Sequence, residues 1–168
     1  MPTYQIAPPG EDGTSGNDSL TTMISRYLRT VSPPVSSYGH TRWDLSAYSG
    51  TITAARMRLY GVSYTATRGV TKTYSLIWVD HSSTTTQYSL GTYTYSSTGA
   101  VWHTLANYDK FKFNNDNIIR IIVGDPGLFK ARTFTLRTQE YATSPDTSDP
   151  MLEITLSSGE TVFATLVG

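Results

Sequence analysis

Residues 40–61, HTRWDLSAYSGTITAARMRLYG, decide the fold. Trp43 and Leu45 alternate with Arg42 and Asp44, and beyond Ser49-Gly50 the residues Ala55, Met57 and Leu59 alternate with Arg56, Arg58 and Tyr60. Successive side chains of a strand point to opposite faces, so this alternation predicts two half-buried strands joined by a short polar turn. Trp43, Leu45, Met57 and Leu59 are expected to face inward. Arg42, Arg56 and Arg58 are expected to face outward or to sit in polar pairs.

The same reading extends in both directions. Strand patterns fall at 20–30, 72–79, 86–95, 101–105, 117–123, 133–138 and 151–156, in addition to 40–45 and 52–64. Turn formers separate them: Pro33-Pro34, Arg68-Gly69, Ser97-Thr98-Gly99, Asp125-Pro126-Gly127 and the Pro-bearing stretch 145–150. Many short strands at this spacing predict an all-β, two-sheet jelly-roll β-sandwich over residues 20–156. Residues 105–111 form the one helical turn expected, with Asn107 and Asp109 as cap or turn residues. Residues 1–19 hold Pro8-Pro9-Gly10, Gly13, Gly16 and Asp18, the makeup of an extended N-terminal arm, and this arm is expected to cross onto a neighbouring subunit. Residues 157–168 form an extra C-terminal strand, with Phe163 and Val167 on one face and Val162 and Leu166 on the other. It reads as the last edge strand of the same sandwich, with addition to a neighbour's sheet as the alternative.

Composition narrows the function. The 13 Lys and Arg balance 13 Asp and Glu, charged residues make up only 15% of 168, and there is thus no basic field to hold nucleic acid. Ser and Thr supply roughly a quarter of the chain and Tyr occurs 12 times, which favours strands over helices. With no cysteine, disulfides, thiolate metal sites and a Cys nucleophile are excluded. The start, MPTYQIAPPG, lacks the basic head and apolar run of a signal peptide, and the most apolar stretch, 118–123, is broken by Arg120. Neither export by its own signal nor a membrane partner is expected.

Arg42-Trp43-Asp44-Leu45-Ser46, followed by Ile52 and by Ala54-Ala55-Arg56-Met57-Arg58-Leu59-Tyr60, resembles the opening signature of DNRLRE-type β-sandwich domains, relatives of carbohydrate-binding modules. Residues 134–140 and then Asp149-Pro150-Met151-Leu152-Glu153-Ile154 are similar to that family's closing pattern. The likeness spans about residues 20–156. The middle, 65–115, departs from it, and the family's Trp-rich strand is represented only by Val101-Trp102-His103. The resemblance implies the sandwich fold and carbohydrate contact. Such domains occur on secreted enzymes, in surface proteins and in phage structural proteins.

Chemistry is sparse. His40, His81 and His103 are scattered outside any metal or triad motif, and no nucleophile elbow, phosphate loop or dinucleotide fingerprint is present. Asp12, Asp18, Asp109, Asp116, Asp146 and Asp149, near Asn17, Asn114, Asn115 and Asn117, read first as turn formers; loop-bound calcium is the one ion such an oxygen-rich set suggests. No catalytic pair is nominated and no cofactor is expected. Trp43, Trp78 and Trp102 read as core, whereas the Tyr-Thr alternation carrying Tyr88, Tyr93 and Tyr95 reads as a wet or interfacial face.

Together these features describe a noncatalytic structural protein that works by assembling, in the form of an auxiliary or decoration component of a bacteriophage head or tail, located in the virion after assembly in the host cytoplasm. Its expected partners are copies of itself and a major capsid or tail protein. The interface candidates are Tyr4, Pro8, Pro9, Tyr88, Tyr93, Tyr95, Phe163 and Val167. The alternative is an extracellular carbohydrate-binding module or adhesion domain that contacts a surface glycan.

Overall fold

The computed structural model describes residues 12–14, 22–138, 149–157 and 161–166. Twelve strands run in chain order: β1 (Asp12–Thr14), β2 (Thr22–Leu28), β3 (Val35–Ser37), β4 (Gly39–Asp44), β5 (Ile52–Ala66), β6 (Thr73–Asp80), β7 (Ser83–Thr94), β8 (Gly99–Thr104), β9 (Asn117–Ile122), β10 (Ala131–Arg137), β11 (Met151–Leu156) and β12 (Thr161–Leu166). Their antiparallel pairs are nested: β6 with β7, β5 with β8, β4 with β9, and β2 with β10. Alternate pairs fall in alternate sheets, giving one sheet in the order β4-β9-β6-β7 and another in the order β2-β10-β5-β8. A hairpin wound in this way is a jelly roll.

The two strands of the deciding stretch are not a hairpin. β4 pairs with β9, whereas β5 pairs with β8, β10 and β11, so the turn at Ser49-Gly50 carries the chain from one sheet to the other. Their apolar faces meet across the core: Trp43 and Leu45 from one sheet, Met57 and Leu59 from the other, all buried. Trp78, Phe134, Met23, Ile119, Ile121 and Leu136 fill the rest of the interior.

β5 is long enough to serve two neighbours on one edge. Its C-terminal half pairs with β10 and its N-terminal half with β11, end to end, while β8 takes the other edge. A register shift near Gly61 moves the inward face from Leu59 to Tyr64 by inserting one extra residue. Glycine is needed at that point because a Cβ would lie 2.9 Å from the Tyr95 ring and 3.2 Å from Phe134. The ring of Tyr64 then stacks on Phe134, centroids 5.4 Å apart.

The C-terminal strand belongs to its own sandwich. β12 pairs with β11 in one sheet and, through Thr165 and Leu166, with β4 in the other, so it joins the two sheets along one side. Val162 and Ala164 are buried and Phe163 is half-buried. Beyond β12, among the described residues, that side carries the three-residue strands β1 on β4 and β3 on β2. Asp12–Thr14 therefore adds to this chain's own β4, where composition predicted a loop; the rest of the arm lies outside the described residues. The expected helical turn narrows to a 3-10 turn at Tyr108–Lys110. Asn107 precedes it in the left-handed conformation, and its carboxamide donates to Ser89 O (2.8 Å) instead of capping the turn.

Asn117, at the start of β9, organises the segment leading into it. Its Oδ1 accepts from the Lys112 N–H (2.7 Å) and from the Trp78 indole N–H (3.1 Å), and its Nδ2 donates to the carbonyls of Lys112 (2.7 Å) and Asn114 (3.0 Å). This carboxamide is fully buried between the sheets and the 112–116 segment. One amide thus satisfies backbone groups that a loop entering the core would otherwise leave unpaired.

Candidate functional site

The side opposite β12 is open. β7 ends one sheet and β8 ends the other, each with a single strand neighbour among the described residues. Their sequence has an unusual property: from residue 81 to residue 108 there is no Asp, Glu, Lys or Arg. Exposed strand edges normally carry charges that block pairing with another chain. Residues 83–89 of β7 are exposed on both faces, and on β8 Val101 and Trp102 are exposed as well.

Three sequence-nominated tyrosines lie along this side in different settings. Tyr88 is 40% exposed and packs on Trp78 across the strand pair, ring centroids 5.9 Å apart, with the Lys110 ammonium 5.3 Å from its ring. Tyr93 is half-buried; its hydroxyl lies 2.6 Å from Thr104 O and 3.2 Å from Leu90 O, so it ties the end of β8 to β7. Gly91, in the left-handed region at φ 141°, makes room for that phenol, since a Cβ there would meet the Tyr93 oxygen at 2.5 Å. Tyr95 is half-buried against Tyr64 and Phe134, its hydroxyl 3.1 Å from Thr98 Oγ1. Tyr93 and Tyr95 therefore brace the open side from within, and Tyr88, on the same face as the buried Trp78, is left partly uncovered at the edge. Phe163 sits apart, on the outer face of β12, its carbonyl accepting from the Tyr48 hydroxyl (2.9 Å). Tyr4, Pro8, Pro9 and Val167 lie outside the described residues.

Between β7 and β8 a crevice of about 20 Å³, enough for a single water, is lined by Leu59, Tyr74, Tyr95, Val101, His103 and Phe134. His103 closes its floor. Nδ1 lies 3.1 Å from Met57 O, which can only accept, so Nδ1 carries the proton; Nε2, 2.5 Å from the Tyr74 oxygen, accepts from that phenol. Burial lowers the His103 pKa and raises those of Tyr74 and Tyr93. Both imidazole nitrogens are engaged, so the pair braces β8 against β5 and β6.

This brace has a pH signature. The folded pKa of His103 lies below that of the unfolded chain, so as pH falls through about 6.5 the unfolded state takes up the proton first. Stability is complete above that pH and declines below it, by at most about 1.4 kcal/mol per pH unit. Denaturant titrations across this range are expected to show the decline in the wild type and its absence in His103→Gln, whatever that variant loses at neutral pH. An identical slope in both proteins would refute the assignment.

The outer face of the second sheet corrects one expectation. Trp102 is not core: it is 37% exposed, because the inward position on β8 goes to His103. Its ring is covered by the guanidiniums of Arg56, 4.3 Å from the centroid, and Arg58, 5.8 Å away. Arg56 forms a two-pronged pair with Glu153 (2.6 and 2.8 Å), which raises the Arg56 pKa. Arg137 lies 3.9 Å from the Tyr60 ring centroid in the same manner. A hollow of about 150 Å³ beside the ion pair is lined by Ala54, Ala55, Thr104 and Thr155 in addition to Arg56 and Glu153, without an aromatic platform. The arginines thus lie over both aromatic rings on this face as cation–π partners.

Of the Asp and Asn residues considered for calcium, Asn114 and Asp116 bond to each other (2.9 and 3.1 Å), as turn formers do. Asp18, Asp146 and Asn17 lie outside the described residues. Among the described residues no three His, Asp or Glu side chains converge as metal ligands. Among the described residues no helix is long and apolar enough to cross a membrane. Comparison with known protein families, curated proteins and solved structures finds no match to this chain.

Proposed function

We propose that the chain is a noncatalytic assembly protein whose open side is covered by another subunit, and that it serves as an auxiliary or decoration component of a virus particle such as a phage head or tail. One observation carries this reading. Two adjoining sheet edges, β7 and β8, are free of charge over 28 consecutive residues, and a protein that works alone would be expected to guard them. Strand addition along β7, with Tyr88 at its centre, supplies main-chain hydrogen bonds for affinity and an aromatic anchor for specificity. The low overall charge and the Ser/Thr/Tyr-rich faces suit a protein that spends its life packed against copies of itself and a major particle protein.

The test is the mass of the full chain in solution and its occupancy on particles. The wild type is expected to associate, while Thr84→Lys with Thr86→Lys, both exposed positions on β7, is expected to weaken association on the order of 100-fold or more with little change in melting temperature. A wild type that stays monomeric and binds no particle, or a variant that assembles normally, would refute the reading. Glycan binding by a monomer that disappears in Trp102→Ala would instead establish the carbohydrate-binding alternative.

A further inference from the structure

At one end of the sandwich three loops meet. The β2–β3 loop is joined to the β9–β10 loop by Arg29 N donating to Lys130 O (2.9 Å) and by the Arg29–Asp125 ion pair (2.8 Å). The β5–β6 loop is joined to it by Thr67 N donating to Ala131 O (3.0 Å), and by the Arg132 guanidinium, which reaches Thr71 Oγ1 (3.0 Å) and Gly124 O (3.3 Å). Between residues 124 and 130 the chain makes a braced turn. Pro126 is buried at its base, Asp125 Oδ1 accepts from the Gly127 N–H (2.8 Å), and Lys130 N donates to Gly127 O (3.2 Å).

The two central residues of that turn are Leu128, 65% exposed, and Phe129, 82% exposed. Phe129 holds φ at 58°, a conformation that glycine or asparagine adopts readily and a bulky residue rarely does. A solvent-exposed turn under no other demand would take Gly there, so a phenylalanine in this place points to a use for its side chain. Val31 of the neighbouring loop adds a further exposed apolar group. Around this tip stand Arg29, Arg68, Lys72, Lys130 and Arg132 against one carboxylate, that of Asp125, a local charge of +4 among the described residues in a chain whose formal net charge is zero. Arg68, Lys72 and Lys130 form no ion pair among the described residues.

We propose that this end docks on the surface of an anionic phospholipid bilayer, with Leu128 and Phe129 inserted below the headgroups and the surrounding cations against their phosphates. The tip presents its apolar side chains to solvent. Its cations come from three separate loops and spread around it, which suits a plane of phosphates more than a single acidic pocket. Apolar insertion combined with a basic surround is the pairing that holds peripheral proteins at a bilayer. This inference is independent of the assembly reading, because the tip lies at an end of the sandwich and β7 and β8 lie along a side. It also departs from the sequence-based expectation of no membrane partner.

Co-sedimentation of the full chain with vesicles tests it. Binding is expected to vesicles of equal parts phosphatidylglycerol and phosphatidylcholine, to weaken as salt rises, and to be absent with phosphatidylcholine alone. Leu128→Ser with Phe129→Ser should weaken it by about tenfold or more. Neutralising Arg68, Lys72 and Lys130 to Ser should weaken it roughly fivefold per cation. Melting curves should stay at the wild-type position, since all these side chains lie at the surface of loops. No binding to the anionic vesicles, or unchanged binding by the Leu128/Phe129 variant, would overturn the proposal. Loss of particle binding by that variant, with a wild type that ignores vesicles, would assign the tip to a protein partner and overturn it equally.

Discussion

Asn117→Leu is expected to cost the fold about 3–5 kcal/mol, although Leu has the same branching and heavy-atom count as Asn. The change removes the acceptor shared by the Trp78 indole and the Lys112 N–H, and each buried donor left without a partner costs roughly 1–3 kcal/mol. The carbonyls of Lys112 and Asn114 lose their donor in the same step. For a chain of this size, 1 kcal/mol moves the melting temperature by about 2–4 °C, so a fall of roughly 6–20 °C is expected. Asn117→Asp keeps the acceptor but sets a buried carboxylate oxygen against the carbonyls of Lys112 and Asn114, so its cost should be at least as large. A drop of less than about 1 kcal/mol for the Leu variant would mean that water replaces the carboxamide and that the 112–116 segment does not depend on it.

Trp43→Ala is expected to be as severe, at about 3–5 kcal/mol, for a different reason. Trp43 is 1% exposed and lies where the two sheets meet, opposite the Met57 and Leu59 face of β5, so its removal leaves a void bounded by strands that cannot easily close on it. Its indole N–H also donates to Thr41 Oγ1 (2.8 Å), a hydroxyl that is itself fully buried. Trp43→Phe retains most of the volume and orphans only that hydroxyl, so its cost should stay near 1–3 kcal/mol. Equilibrium urea unfolding of the two variants separates the contributions. Equal losses would show that the hydrogen bond, and not the filled volume, is what Trp43 supplies.

Strand positions were readable from the chain because alternation reports directly which residues are buried. Residues 40–45 and 151–156 were placed to within a residue, and the inward set Trp43, Leu45, Met57 and Leu59 was right for that reason. Alternation does not report which sheet a strand joins, so the sheet change at Ser49-Gly50 was invisible. Apolarity misplaces Trp102, because it is not the sign of burial on β8. The inward position there belongs to His103, which burial tolerates only because Met57 O and the Tyr74 phenol satisfy both nitrogens. β1 and β3, three residues each, are too short to show a period. Tyr88, Tyr93 and Tyr95 stood out as a Tyr-Thr alternation, yet only the structure shows that two of them face partly inward. The absence of charge over 81–108 could have been read from the chain alone, and it marks the open side better than the tyrosines do.

The unequal sides of the sandwich set a limit on growth. β12 joins the two sheets on one flank, and what edge remains there is trimmed to the three-residue β1 and β3. Among the described residues, a subunit that recruits a partner along β7 therefore has no comparable strand to offer on its far flank. Its lateral pairing is confined to one side. Two copies joined β7 to β7 would form a pair with an axis of symmetry. An uncharged twelve-residue edge is the kind of strand that seeds fibrils when it recurs on both flanks of a subunit. By blocking one flank, the closing strand makes the same edge compatible with an assembly of fixed size.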